Sequence, residues 1–301
     1  MDILRELRKI EKWYRAGGNI NEYVRAGRNA ERNSAASVLV SYDFQAGAYT
    51  EYAERHPRYI RDYAGAIAKT IEALETPKSV LEIGAGEATT LANVVARLKK
   101  RPDAVYGFDI SWSRIKFAKR YCRRLKVRPQ PFLFVGALFH APFQSSSIDV
   151  VYTSHSIEPN GGKERQALLE SYRICRNHLV LLEPAYELAG AKARKRMEKH
   201  GYARNLYRTA KSLGFKVIEH RLFDYSANPL NPTGLMIIEK KNAANAKGIS
   251  NPLACPITKL PLLKARSSFY CKEGMLAYPV VEGIPCLLPS HAVVATHFLD
   301  R

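Results

Sequence analysis

The densest chemical signal in the chain is the run Val80-Leu-Glu-Ile-Gly-Ala-Gly-Glu-Ala-Thr-Thr90. A short apolar strand reaches two glycines, Gly84 and Gly86, and a helical pattern follows. Glycines at such a strand–helix junction let the backbone turn sharply, and they let a ligand lie against it with no Cβ in the way. The next strand ends in Gly-Phe-Asp-Ile-Ser (107–111), about two dozen residues after the loop. An acid at that distance and at a strand end is placed to accept hydrogen bonds from ribose hydroxyls, which assigns Asp109 that role.

A second constellation lies two strands further on, in Ser154-His155-Ser156-Ile157-Glu158-Pro159-Asn160-Gly161-Gly162. In open α/β sheets, active-site groups gather at the carboxyl ends of the strands. His155 can accept a proton near neutral pH, and Glu158 can orient its ring or bind a polar ligand. His140, in the preceding strand-to-helix loop, is another candidate base. His155 also reads as a wall of the pocket, the reading its place at the end of the fourth strand favours. Glu183-Pro184 and Tyr186, after the fifth strand, either line the same side or are ordinary loop.

These residues resemble the class I methyltransferases that use S-adenosyl-L-methionine. VLEIGAGEATT is similar to that family's first motif, with the acid Glu82 two positions before Gly84. Nicotinamide-binding loops usually carry a third glycine where this chain has Thr89. The segment 135–158, VGALFHAPFQSSSIDVVYTSHSIE, resembles the family's adenine-contacting loop and fourth strand. The family often has Asp where this chain has Ala137, so the resemblance implies a backbone contact from Ala137 or Leu138 instead. It implies a cofactor site of Glu82, Gly84, Ala85, Gly86, Asp109, Ile110, Ala137, Leu138 and Ser154. Tyr42 and Tyr49 stand where family members often have an aromatic segment folding over the cofactor; they read equally well as helix-packing residues. The catalytic candidates are then His155, Glu158 and His140. Methyl transfer from a sulfonium is an in-line displacement, so positioning does most of the work. A base is needed only for acceptors such as hydroxyls.

The elements that position these groups alternate. Strands are predicted at 79–84, 104–110, 131–136, 147–154, 178–184, 215–223 and 234–241. Helices lie between them, at about 89–100, 112–125, 163–175 and 206–213. Alternation of this kind means parallel strands with right-handed crossovers. The last two strands have only a short loop between them, so that pair is antiparallel. The fold class is α/β: a Rossmann-like, doubly wound seven-stranded sheet, with N-terminal helices and a small C-terminal β-rich domain. The domain limits read as 1–70 for a helical segment and cofactor lid, 71–241 for the cofactor-binding domain, 242–250 for a linker and 251–301 for the accessory domain.

The tail, NPLACPITKLPLL…FYCKEGMLAYPVVEGIPCLLP, resembles the small zinc-ribbon activator subunit of tRNA and release-factor methyltransferases. A structural zinc needs four ligands, commonly two Cys-x-x-Cys pairs. Here Thr258 stands three after Cys255, and Cys271 has no second cysteine nearby, which predicts a metal-free domain. The five cysteines are odd in number and irregularly spaced, which argues against a disulfide framework and for a reducing, cytoplasmic location. No apolar run is long enough to span a bilayer.

The formal charge is +19, large enough to draw anions to the surface. Eight basic residues and no acid lie between Arg114 and Arg128, and a second cluster runs from Lys192 to Arg196, with Lys199. The expected reaction is methylation, at oxygen, of a small or carbohydrate-type acceptor, because the fourth loop is polar and carries histidine. The alternative is RNA, above all tRNA, favoured by the charge and the activator-like tail. A homodimer is a further arrangement that the sequence allows.

Overall fold

A computed structural model describes residues 3–28, 32–240, 251–265 and 267–300. The linker expected at 242–250 lies outside the described residues. Five helices open the chain: α1 (Leu7–Arg15), α2 (Ile20–Arg28), α3 (Ala35–Phe44), α4 (Ala48–Arg55) and α5 (Pro57–Leu74). Ser34 caps α3 by accepting from the Ser37 backbone N–H, and Ser37 answers it in a reciprocal pair. Such a box satisfies donors that a helix start leaves open. Pro57 opens α5, where its missing N–H is no loss. The expected limit at residue 70 falls inside α5, which packs as one helix through Ile67, Ala68 and Ile71.

The strand–helix alternation follows: β1 (Ser79–Ile83), α6 (Thr89–Val95), β2 (Ala104–Asp109), α7 (Trp112–Arg124), β3 (Phe132–Val135), β4 (Ile148–Ser154), α8 (Glu164–Ile174) and β5 (Cys175–Pro184). Then come α9 (Ala191–Lys199), α10 (Leu206–Ser212), β6 (Lys216–Leu222) and β7 (Thr233–Glu239). Helix α6 stops five residues short of the expected end, and Lys99–Lys100 belong to the loop after it.

The seven strands form one sheet in the order β3-β2-β1-β4-β5-β7-β6. β1 pairs in parallel with β2 and β4, and β7 runs antiparallel to both β5 and β6. The order reverses beside β1, between β1 and β4. That is the switch point where a crevice opens outside the strand ends. The central strands are apolar on both faces, as a sheet covered by helices requires. Val80, Val150 and Val180 enter one core cluster, and Leu81, Val151 and Leu181 the other.

The tail builds its own sheet from β8 (Leu263–Ala265), β9 (Ser268–Cys271), β10 (Leu276–Val281), β11 (Ile284–Pro285) and β12 (Val293–Val294). It is seated on the free edge of the large sheet. Cys286 forms a parallel bridge with Val135, the last residue of β3. Leu253 bridges Phe143, and the Ala254 N–H donates to the Pro142 carbonyl at 2.9 Å. Leu253, Leu262, Phe269, Tyr278 and Leu287 share a buried cluster with Phe108, Phe134 and Phe143. The edge strand that would otherwise offer unpaired backbone groups is covered.

Inside the tail, Cys255, Thr258, Cys271 and Gly274 occupy the positions of two x-x-spaced pairs and meet at one place. Thr258 Oγ1 lies 3.6 Å from Cys271 Sγ, and a Cβ added to Gly274 would stand 2.9 Å from that sulfur. Tyr278 Oη lies 3.1 Å from Cys255 Sγ. Among the described residues no group of three or more His, Cys, Asp or Glu side chains is arranged to hold a metal.

Candidate functional site

The loop after β1 is fixed by sterics. Gly84 has φ +67°, and a Cβ there would fall 2.3 Å from Ser156 Cβ, so no larger residue fits without moving the loop after β4. The Ala85 N–H donates to the Phe108 carbonyl at 2.8 Å, tying the loop to β2. The Gly86 N–H donates to Asp109 Oδ2 at 3.0 Å, and the Ser111 N–H to Oδ1 at 2.9 Å. Each oxygen keeps acceptor capacity beyond these bonds. Burial raises the Asp109 pKa, against the pull of Arg114 and the two N–H groups.

Glu82 is buried in β1 and accepts a hydrogen bond from Tyr152 Oη at 3.1 Å. Burial pushes its pKa up to about 8, although the Tyr152 hydroxyl works against the shift. Glu82 is therefore largely protonated at neutral pH until a cation joins it.

The loop after β4 carries His155 in a left-handed conformation, φ +55°. Its Nδ1 lies 2.6 Å from Glu158 Oε2, and its Nε2 lies 2.8 Å from Thr233 Oγ1. The same Glu158 oxygen accepts from Asn231 Nδ2 at 3.0 Å. Burial lowers the His155 pKa, but the hydrogen bond and charge of Glu158 outweigh it and the net shift is upward. Glu158 moves down: burial opposes ionisation, and His155 overrides it. The loop backbone is held from behind by Glu183, whose carboxylate accepts from the N–H groups of Ser156, Ile157 and Glu158, each at 3.1 Å.

Tyr42 and Tyr49, from α3 and α4, both lie over the guanidinium of Arg114. Glu87, just after Gly86, accepts the backbone N–H groups of Gly47 at 2.8 Å and Thr50 at 2.7 Å. These contacts fasten the N-terminal helices over the glycine loop. Tyr63 of α5 sits 2.9 Å from Ser154 Oγ.

All the expected site residues line one cavity of about 610 Å³: Tyr42, Tyr49, Glu82, Gly84, Ala85, Gly86, Asp109, Ile110, Ala137, Leu138, His140, Ser154, His155 and Glu158. His140, at the end of a short 3₁₀ turn (Leu138–His140), and Tyr49 are the exposed ones. Glu183 and Tyr186 do not line it; Glu183 is turned into the loop backbone, and Tyr186 donates to Glu198 at 2.5 Å. Arg114, grouped by spacing with the basic cluster, is withdrawn into the cavity wall. Lys116 and Lys119 of that cluster hold the tail, through Glu282 at 2.8 Å and the Gly283 carbonyl at 2.6 Å. Tyr63, Arg114, Asn231 and Thr233 were missed from sequence. Thr233 follows His155 by 78 residues, and no local pattern joins them.

Residues 80–178 match the family model described as a methyltransferase domain. A 52-residue stretch is 42% identical to a UPF0434 protein of Shewanella baltica strain OS155, covering 17% of this chain and 88% of that one. Over 42 residues it is 48% identical to a UPF0434 protein of Pseudomonas paraeruginosa, covering 13% and 69%. Among solved structures, the complex of the Haloferax volcanii Trm112 methyltransferase activator with a methyltransferase gives a TM-score of 0.50 at 16% identity, covering 66% of this chain and 96% of that chain. The magnesium protoporphyrin IX methyltransferase of Synechocystis PCC 6803 with bound SAH gives 0.48 at 12% identity, covering 60% and 83%.

Sheet order, glycine loop and terminal acid together define a class I methyltransferase fold with a nucleoside-cofactor crevice. The chain carries a methyltransferase domain over residues 80–178, and its tail belongs with the UPF0434 proteins. The cavity fits the cofactor: the turn at Gly84 and Gly86 leaves an open cradle, Asp109 retains acceptor capacity, and Phe108, Ile110 and Leu138 supply an apolar wall. No helix among the described residues is long and apolar enough to cross a membrane.

Proposed function

We propose that this enzyme methylates an oxygen of a small, hydroxyl-rich acceptor of carbohydrate type. One observation carries the reading: the hydrogen-bonded His155–Glu158 pair shares its cavity with Asn160, Gln166, Asn228 and Asn231. Carboxamides donate and accept in turn, as hydroxyls require. When bound, S-adenosylmethionine supplies a methyl group on a sulfonium, which leaves as a neutral thioether. Asp109 would hold the ribose, with Gly84, Ala85 and Gly86 beneath the cofactor, and Ala137 and Leu138 beside its base. Glu82 and Ser154 would close the inner wall, and Tyr42 and Tyr49 would cover the outside.

His155 takes the acceptor proton at Nε2 while Glu158 fixes Nδ1. Thr233 Oγ1 occupies that nitrogen at 2.8 Å, so an entering hydroxyl competes for the same lone pair. His140, at the rim, contacts the acceptor rather than its reacting oxygen. Labelled methyl transfer from S-adenosylmethionine into a panel of sugars and hydroxylated metabolites tests this. Label entering only nitrogen or carbon acceptors sinks it.

A second reading, RNA methylation, is supported by α9. Lys192, Arg194, Lys195 and Lys199 are exposed there, and Tyr202, just beyond, stands near enough to Glu158 to stabilise its carboxylate. Gel-shift titration with bulk tRNA at two salt concentrations separates the readings, because phosphate contacts weaken steeply with salt. No shift at low salt removes the RNA reading.

A further inference from the structure

Arg114 is a buried cation that meets no carboxylate at contact distance. It lies in the first turn of α7, 2% exposed, and lines the cofactor cavity. Its Nε donates to the Tyr42 carbonyl at 2.9 Å. The guanidinium carbon lies 4.6 Å from the Tyr42 ring centre and 4.3 Å from that of Tyr49. Nη1 rests against the glycine loop, 3.3 Å from where a Cβ on Gly86 would stand. Nη2 is sealed from solvent and has no hydrogen-bond partner. Among the described residues, no ion pair within 4.0 Å is recorded for this side chain. Asp109 attracts it, but from beyond 4.0 Å, with no hydrogen bond between the two side chains.

A buried charge is costly unless it is paired and hydrogen-bonded. Aromatic faces offset part of that cost, yet they give Nη2 nothing to donate to. S-adenosylmethionine carries one anionic group, the α-carboxylate of its methionine end. A planar guanidinium edge recognises a carboxylate better than any other side chain does.

We infer that Arg114 binds the α-carboxylate of the cofactor's methionine end through its guanidinium edge on the cavity wall, held in position by Tyr42 and Tyr49. The inference rests on S-adenosylmethionine occupying this cavity. It also gives the two tyrosines a reason to lie where they do. They come from separate helices, α3 and α4, and both close on the one cation that the amino-acid end of the cofactor would engage. Binding the carboxylate and seating the N-terminal helices are then one event.

Calorimetric titration of the full chain with two ligands tests this. S-adenosylhomocysteine keeps the amino-acid end; 5′-methylthioadenosine keeps the nucleoside and sulfur but lacks the carboxylate. In Arg114→Met, S-adenosylhomocysteine should bind about 10- to 150-fold more weakly, the range of a charge-assisted hydrogen bond. Methylthioadenosine affinity should not change, and its binding also reports that the variant is folded. Arg114→Lys keeps the charge without the planar fork and should fall between. Equal weakening of both ligands would mean that Arg114 only seats the helices, and it overturns the inference. So does unchanged binding of both. A wild-type protein that binds neither ligand removes the cofactor cavity itself, which is a different and recognisable failure.

Discussion

The backbone N–H of Leu287 donates to the carbonyl of Val135 at 2.8 Å, so the tail is hydrogen-bonded to the end of β3, two residues before Ala137 on the cavity wall. Edge pairing of this kind gives main-chain adhesion, and the buried side chains around it give the rest.

Removing residues 251–301 should therefore do more than shorten the chain. It uncovers Phe143, Phe134 and the β3 edge, and exposed apolar surface beside an unpaired edge promotes aggregation. The truncated protein should melt at lower temperature, precipitate more readily and bind S-adenosylhomocysteine more weakly. Thermal unfolding and calorimetry check this; a truncation as stable and as tight-binding as the full chain contradicts it.

The tail should also contain no stoichiometric zinc, because two of the four converging positions are Thr258 and Gly274. Replacing both by cysteine gives two Cys-x-x-Cys pairs around one point. The double variant T258C/G274C should take up one zinc per chain by elemental analysis, and the wild type none. One zinc per wild-type chain would mean that the four positions are not the metal's ligands.

Glu82 makes stability and cofactor binding oppose each other. Its folded pKa, about 8, lies above the ordinary 4.5. As pH rises from 4.5 to about 8, the unfolded chain gives up this proton before the folded one does, so stability falls across that window. Glu82→Gln removes the penalty and should raise the melting temperature at pH 7 and above. It should also weaken S-adenosylmethionine, whose cationic groups favour the ionised acid. A variant that is less stable at every pH contradicts the assignment.

Under the proposed transfer to oxygen, the His155–Glu158 pair should give the rate a pH limb. The folded His155 pKa lies above 6.5 because Glu158 outweighs burial. Stability from the charged pair is present below 6.5 and is lost as pH rises through the folded value. The basic form appears over that same rise, so the rate should climb with pH. Glu158→Gln should move the midpoint down. His155→Gln should remove the limb and slow transfer by about 10²- to 10⁴-fold, the usual worth of a general base. A pH profile that His155→Gln leaves intact would make His155 a wall of the cavity only.

The glycine loop and Asp109 were legible because their chemistry is local: two glycines, a strand end and a fixed spacing. Most of the strands were legible for the same reason, since β3, β5 and β7 carry long apolar runs, while β6 alternates Lys216, Glu219 and Arg221 with apolar residues. Arg114 was not. Helical spacing groups it with Lys116, Lys119 and Arg120, and only the packing of α3 and α4 turns it inward. Glu87 reads as one more polar residue of the loop until Gly47 and Thr50 come to it across 40 and 37 residues. Asn231 and Thr233 sit in a polar turn between β6 and β7, and they reach His155 only because β7 lies beside β5 rather than at the sheet edge.

Titration of the intact protein with S-adenosylhomocysteine, repeated on Asp109→Ala, tests the central claim most directly. The wild type should bind one equivalent, and the variant should lose about 1.5–3 kcal/mol, the worth of a charged hydrogen bond. Absence of binding by the wild type, or undiminished binding by Asp109→Ala, would contradict a cofactor seated between the glycine loop and the end of β2.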